Sequence, residues 1–93
     1  MGSMVTVAAR PKGEGWTCRV EVDEAGERTK HTVDVSAAEL ARWGRGTGER
    51  EVEDLVKRSM EFLLRREPAT SILAAFDLAT IARYFPEYDR EIR

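Results

Sequence analysis

One thiol and one imidazole occur in this chain, Cys18 and His31, and together they could form a thiolate–imidazole pair that activates a nucleophile. Both fall in alternating stretches. Trp16, Cys18, Val20 and Val22 alternate with Thr17, Arg19, Glu21 and Asp23, and Thr29, His31, Val33 and Val35 alternate with Lys30, Thr32 and Asp34. A hairpin centred on Ala25-Gly26 sets Val20 opposite His31, Cys18 opposite Val33 and Trp16 opposite Val35, with both apolar sets on one side. Cys18 and His31 then lie diagonally on the inward face. Asp34 points the other way, so nothing on that face orients the imidazole. A small buried cysteine beside a rim histidine is the plainer expectation. A closed zinc site normally takes four N/S ligands, and one Cys with one His and no C-x-x-C or paired-histidine spacing cannot supply them in a monomer. No catalytic, metal-ligating or cofactor-binding residue is expected, and no cofactor.

The run Gly44-Arg45-Gly46-Thr47-Gly48-Glu49-Arg50 opens onto a helix N-terminus, where backbone N–H groups can hold an anion. Arg42, Arg45, Gly46 and Arg50 are the weak candidates for anion or phosphate contact. The run lacks the Lys-Ser/Thr ending of a P-loop, follows a helix where a P-loop follows a strand, and is crowded by Glu49 and Glu51. Helix, glycine turn, helix also suggests a helix-turn-helix in which Arg42, Arg45, Arg50, Lys57 and Arg58 meet phosphates. The turn is long for that motif, and the second helix begins acidic where base edges should be met. Glu87, Asp89 and Glu91 beside Tyr88 are closely spaced carboxylates, but acid–base work needs a cleft that shifts a pKa. An acidic, partly frayed end is the simpler reading.

The strongest signal is apolar. On a wheel of about 100° per residue, Val52, Leu55, Val56, Ser59, Met60, Phe62, Leu63 and Leu64 share one broad arc of a helix over Glu51–Pro68. That arc is wider than the stripe of about 100° that an ordinary surface helix carries. One flat surface would not cover it, so it should pack on a sheet on one side and on its own tail or a second chain on the other. Aromatic residues are enriched at interfaces, and the candidate interaction surface is Met60, Phe62, Leu64, Phe76, Tyr84, Phe85 and Tyr88.

The elements that must position these residues follow in order. Met1-Gly2-Ser3 reads as an expression scar, leaving residues 4–93 as one small domain. Residues 4–35 supply strands, with Val5–Ala9 either joining the hairpin or pairing with another chain. Residues 36–68 supply two helices. Ser36 and Glu39 form a capping box with Val35 and Leu40 as its hydrophobic staple, starting a short helix over about 37–43 that Leu40 and Trp43 seat on the hairpin. Arg65, Arg66 and Pro68 close the long central helix. Residues 69–93 form a tail of short helices: one turn carrying Ile72, Leu73 and Phe76, then a piece capped by Asp77 with Leu78, Ile81 and Phe85 on one face, broken at Pro86. The expected fold is α+β: a small antiparallel sheet of two or three strands, a short capped helix, a long amphipathic helix and a helical C-terminal wrap.

The stretch FLLRREPATSIL…FDLATIARYFPEY resembles the C-terminal half of a family of small uncharacterised prokaryotic proteins. In that family a short β-hairpin precedes a FLLxREPxxSILxxFDLxxIxRYFPEY-type ending. The resemblance covers most of the chain. It brings no activity and no site residues, and implies that the tail is an integral part of the fold.

Composition narrows the function classes. The chain is 42% apolar and 34% charged, which argues against disorder. Net charge is −2 and the pI about 5.5, with both signs interleaved, whereas a dedicated nucleic-acid binder shows a basic face and a high pI. There is no secretory h-region and no apolar run of membrane-span length, and the lone cysteine excludes an internal disulfide; a cytoplasmic protein is expected. The functional expectation is a non-catalytic protein–protein interaction module, self-associating as a homodimer or serving as an accessory or antitoxin-like subunit. The alternatives are a dimeric nucleic-acid-binding transcriptional regulator, and a small ligand-binding protein or enzyme.

Overall fold

Alternation dictates the first third of the chain. The structure, a computed structural model, describes residues 3–93; Met1 and Gly2 of the N-terminal tripeptide lie outside the described residues. Three strands form an antiparallel meander: β1 (Met4–Lys12), β2 (Gly15–Glu24) and β3 (Glu27–Val35). The β2–β3 register pairs Val20 with His31, Cys18 with Val33 and Trp16 with Val35, as the two alternating patterns require. Val5–Ala9 belongs to β1 and pairs with β2 of the same chain. The β2–β3 turn has positive φ at both central residues, Ala25 at 54° and Gly26 at 83°. This is the combination that matches strand twist in a two-residue loop, and it is strained only at Ala25, which carries a Cβ.

The capping box at Ser36–Glu39 forms and starts α1 (Ala37–Trp43), with Leu40 and Trp43 buried. Glu39 serves twice. One carboxylate oxygen accepts the Ser36 N–H at 2.8 Å and the other accepts the Ala79 N–H at 2.9 Å, at the start of a later helix. α2 (Glu49–Leu64) buries Val52, Leu55, Val56, Ser59, Met60, Phe62 and Leu63. At roughly 1.5–3 kcal/mol per large apolar side chain, these are among the largest stabilising terms in the molecule. The broad arc is covered from two sides, by the sheet and by the chain's own tail. α2 closes at Leu64, before the expected Arg66, because the Arg66 and Glu67 amides both turn back to the Leu63 carbonyl ahead of Pro68.

The sheet has four strands and is mixed, which corrects the expected two or three antiparallel ones. β4 (Ala75–Asp77) lies parallel to β3, with Phe76 beside Val33, and the strand order is β1-β2-β3-β4. The helical turn expected over Ile72, Leu73 and Phe76 is also absent. Ala69–Ser71 is a 3-10 turn after Pro68, and Ile72 is extended at φ −77° and ψ 136°. Two hydrogen bonds pull this backbone straight: the Thr32 N–H donates to the Ala74 carbonyl at 2.7 Å, and His31 Nδ1 donates to the Leu73 carbonyl at 2.7 Å. Asp77 then caps α3 (Leu78–Tyr84) through the Thr80 N–H, and after Pro86 the chain makes one last turn, α4 (Tyr88–Glu91).

One apolar cluster joins the layers, running from Val20, Val22 and Val33 of the sheet through α2 to Leu78, Ile81, Tyr88 and Ile92. No helix among the described residues is long and apolar enough to cross a membrane.

Candidate docking groove

The C-terminal end of α2, the extended segment after the 3-10 turn, and one face of α3 meet around an open groove of about 340 Å³. Its floor is Leu63, Ile72 and Ile81, all almost wholly buried. Phe76 and Phe85 form half-buried walls, while Leu73 and Tyr84 stand at the rim, 53% and 68% exposed. Local sequence explains the shape. Thr80, Ile81 and Tyr84 project from neighbouring turns of α3, and the extended backbone at Ile72–Leu73 sends successive side chains to opposite sides, Ile72 inward and Leu73 outward. Ser71, Thr80 and Glu67 add the polar groups. Glu67 is the single ionised lining residue, and its carboxylate has no ion pair or side-chain hydrogen bond among the described residues. The neighbouring Arg66 is committed elsewhere, to Glu87 at 3.2 Å and Glu91 at 3.0 Å, with its guanidinium lying 3.6 Å over the Phe62 ring.

The residues expected at an interaction surface divide. Tyr84 is exposed on the groove, and Phe76 and Phe85 line it. Leu64 is half-buried outside the lining. Met60, Phe62 and Tyr88 sit in the core with almost no exposure, so they present no surface to a partner. Tyr88 packs edge-on against Trp43 and Phe62, each at 5.2 Å, and its hydroxyl meets Ser59 Oγ at 2.7 Å. Burial raises the Tyr88 pKa. Leu73 and Ile72 were not on the expected surface. The signal that could have found Leu73 is its place next to Ile72, since adjacent apolar residues in an extended segment cannot both face inward.

Cys18 and His31 do share the inward face, but both are buried, so the expected rim histidine is a core one. The Leu73 carbonyl can only accept, so Nδ1 carries a proton and donates to it, while Nε2 meets the Thr29 hydroxyl at 2.9 Å. Both ring nitrogens are thus occupied, and neither meets the thiol. Burial, reinforced by the Glu53 and Asp34 carboxylates, pushes the Cys18 pKa up to about 12, the reverse of an activated nucleophile.

Among the anion candidates, Arg42 is bonded to Asp89 at 2.9 Å, while Arg45, Gly46 and Arg50 are exposed. At the start of α2 the Gly48 amide is taken by Glu51 of the same helix at 3.1 Å, so an acidic side chain already stands there. Arg58, counted among the phosphate contacts of a helix-turn-helix, bonds Asp54 at 2.8 Å and the Ile92 carbonyl. Of the terminal carboxylates, Asp89 accepts from the Trp43 indole at 2.8 Å and from Arg42, and these bonds hold its pKa down at about 2. Glu87 and Glu91 pair with Arg66. Among the described residues no group of three His, Cys, Asp or Glu side chains is placed to hold a metal ion.

No family model matches the chain, and neither the curated proteins nor the solved structures contain a match to it.

Proposed function

We propose that the chain is a non-catalytic interaction module, an accessory or antitoxin-like subunit that docks a protein partner through the groove between α2, the extended segment at residues 72–77 and α3. The observation that carries this reading is the groove itself, an open apolar concavity whose rim keeps Leu73 and Tyr84 in solvent. Large apolar side chains that gather around a concavity mark a contact surface, whereas single scattered ones do not. The placement of the two reactive side chains supports the same choice, because the thiol is buried and electrostatically discouraged from ionising while the imidazole is occupied on both sides.

The test is affinity capture from the native host with nuclease present, using wild-type chain, Tyr84→Glu and Leu73→Glu, and Arg19→Glu on the opposite face of the sheet as control. A partner protein recovered in stoichiometric amount with wild type and Arg19→Glu, and lost with both groove variants, is the expected result. Equal recovery with all four chains would exclude the groove as the docking site. Recovery of nucleic acid in place of protein, released by salt, would favour the regulator reading.

A further inference from the structure

We propose that the groove takes an extended peptide segment of the partner, which lies along the free edge of β4, drops a large apolar side chain onto Leu63, Ile72 and Ile81, and sets a cationic side chain beside Glu67. This rests on the groove being a docking site and adds the conformation and charge of what docks there.

Three observations converge. The first concerns strand edges. The sheet has two, and one is partly closed: on β1 the Ala9 N–H is taken by Glu53 of α2 at 3.0 Å. Among the described residues β4 has no such cover. It pairs only with β3, and because the Thr32 N–H reaches the Ala74 carbonyl, the alternation of an extended strand turns the Ala75 amide and carbonyl away from β3. Ala75 is exposed, so a further strand can approach. Second, the groove adjoins this edge: Phe76 of β4 and Leu73 just before it both belong to the lining, together with the apolar floor of Leu63, Ile72 and Ile81. An open edge with an adjoining apolar pocket is the arrangement by which strand addition recognises peptides: main-chain bonds hold the segment and the pocket reads alternate side chains. Third, Glu67 has no ion-pair partner among the described residues at a mostly apolar site with no other charged lining residue, which favours a cation on the arriving segment.

The same charge selects against a second copy. An isologous contact brings the same patch from both subunits, so self-pairing at this groove would set a second Glu67 against the first, from a lining that contains no Lys or Arg.

The experiment pans a displayed library of short random peptides against the intact chain. Enriched peptides are then measured by fluorescence anisotropy and mapped by amide chemical shifts. The expected result is enrichment of sequences with a large apolar residue next to Lys or Arg, shifts at Ala75 and the groove, and binding lost in Tyr84→Glu. Glu67→Lys, at a half-buried lining position, should weaken the basic peptides about tenfold and shift enrichment toward acidic neighbours. Enrichment without charge bias, shifts confined to another face, or no enriched peptide would each overturn the inference. If no peptide binds and sedimentation shows a dimer that Tyr84→Glu dissociates, the occupant is a second copy: the extended cationic segment is wrong while the groove remains a docking site. If groove variants alter neither peptide binding nor host-partner recovery, the functional reading fails with it.

Discussion

The hydroxyl pair inside the core, Ser59 with Tyr88, makes a prediction in which the double variant is more stable than one of its parents. Ser59 Oγ donates to the Leu55 carbonyl at 2.7 Å, so the 2.7 Å contact to Tyr88 is a bond that the tyrosine donates. Tyr88→Phe removes a donor and leaves Ser59 still bonded to Leu55, a loss of about 0.5–1.5 kcal/mol. Ser59→Ala leaves the Tyr88 hydroxyl buried with no partner, which costs about 1–3 kcal/mol, offset by about 0.5 kcal/mol of improved helix propensity. Adding Tyr88→Phe to Ser59→Ala removes the orphaned hydroxyl. The double variant should therefore recover about 1 kcal/mol over Ser59→Ala alone, a rise of about 4–8 °C in Tm for a domain of this size. Urea unfolding of the four chains, read by tryptophan fluorescence and far-UV circular dichroism, closes the cycle. A double variant no more stable than Ser59→Ala would refute the claim that Tyr88 donates its only bond to Ser59.

Three further perturbations follow from single features. Replacing Ala25 by Gly relieves the one non-glycine residue at positive φ among the described residues and should stabilise by about 1 kcal/mol, less the extra entropy of the unfolded glycine; a measurable loss in urea unfolding would contradict the turn geometry. The Cys18 pKa is raised in the folded state, so its contribution is fully present below the unfolded thiol value and is lost as pH rises toward about 12. Cys18→Ala should accordingly flatten the alkaline fall in Tm, and native Cys18 should react with a disulfide reagent only on unfolding. Asp89 runs the other way. Its folded pKa is lowered to about 2, so its contribution is present above the unfolded carboxylate value and disappears as pH falls from about 4 toward 2. Asp89→Asn should be less stable at neutral pH and lose less on acidification, and an unchanged acid profile would show that the Trp43 and Arg42 bonds contribute nothing.

The parts of the fold written in short-range pattern were legible. Two strands of period two fix one register between them, a Ser-x-x-Glu at a strand exit starts a helix, and Asp77 starts another, because each of these depends on residues within a few positions of one another. β4 was not legible for the opposite reason. Three residues are too few to show alternation, and the bonds that straighten the segment come from Thr32 and His31, more than forty positions upstream for Leu73. With those partners out of sight, Ile72, Leu73 and Phe76 have the spacing of a helical turn. The candidate surface failed in part for a related reason: Tyr and Phe are used alike in cores and at interfaces, so Tyr88 and Phe62 could not be told from Tyr84 by type.

Two polar residues did carry that information. His31 and Ser59 each stand within an apolar pattern, and a buried polar group there requires a partner. Both find it in the tail, His31 at the Leu73 carbonyl and Ser59 at the Tyr88 hydroxyl. The tail is thereby fixed to the sheet at one end and to α2 at the other, and the groove opens along the chain between these anchors. A polar residue on an apolar face is thus worth reading as a long-range constraint, since its own element meets only part of its demand: Leu55 of α2 takes the Ser59 hydroxyl hydrogen and Thr29 of β3 meets one His31 nitrogen, and the tail supplies the rest. In this molecule the demand is met twice by the same tail. That double attachment holds Ile72 and Ile81 against Leu63 and leaves Leu73 and Tyr84 outside, which is how a segment integral to the core also comes to carry its docking surface.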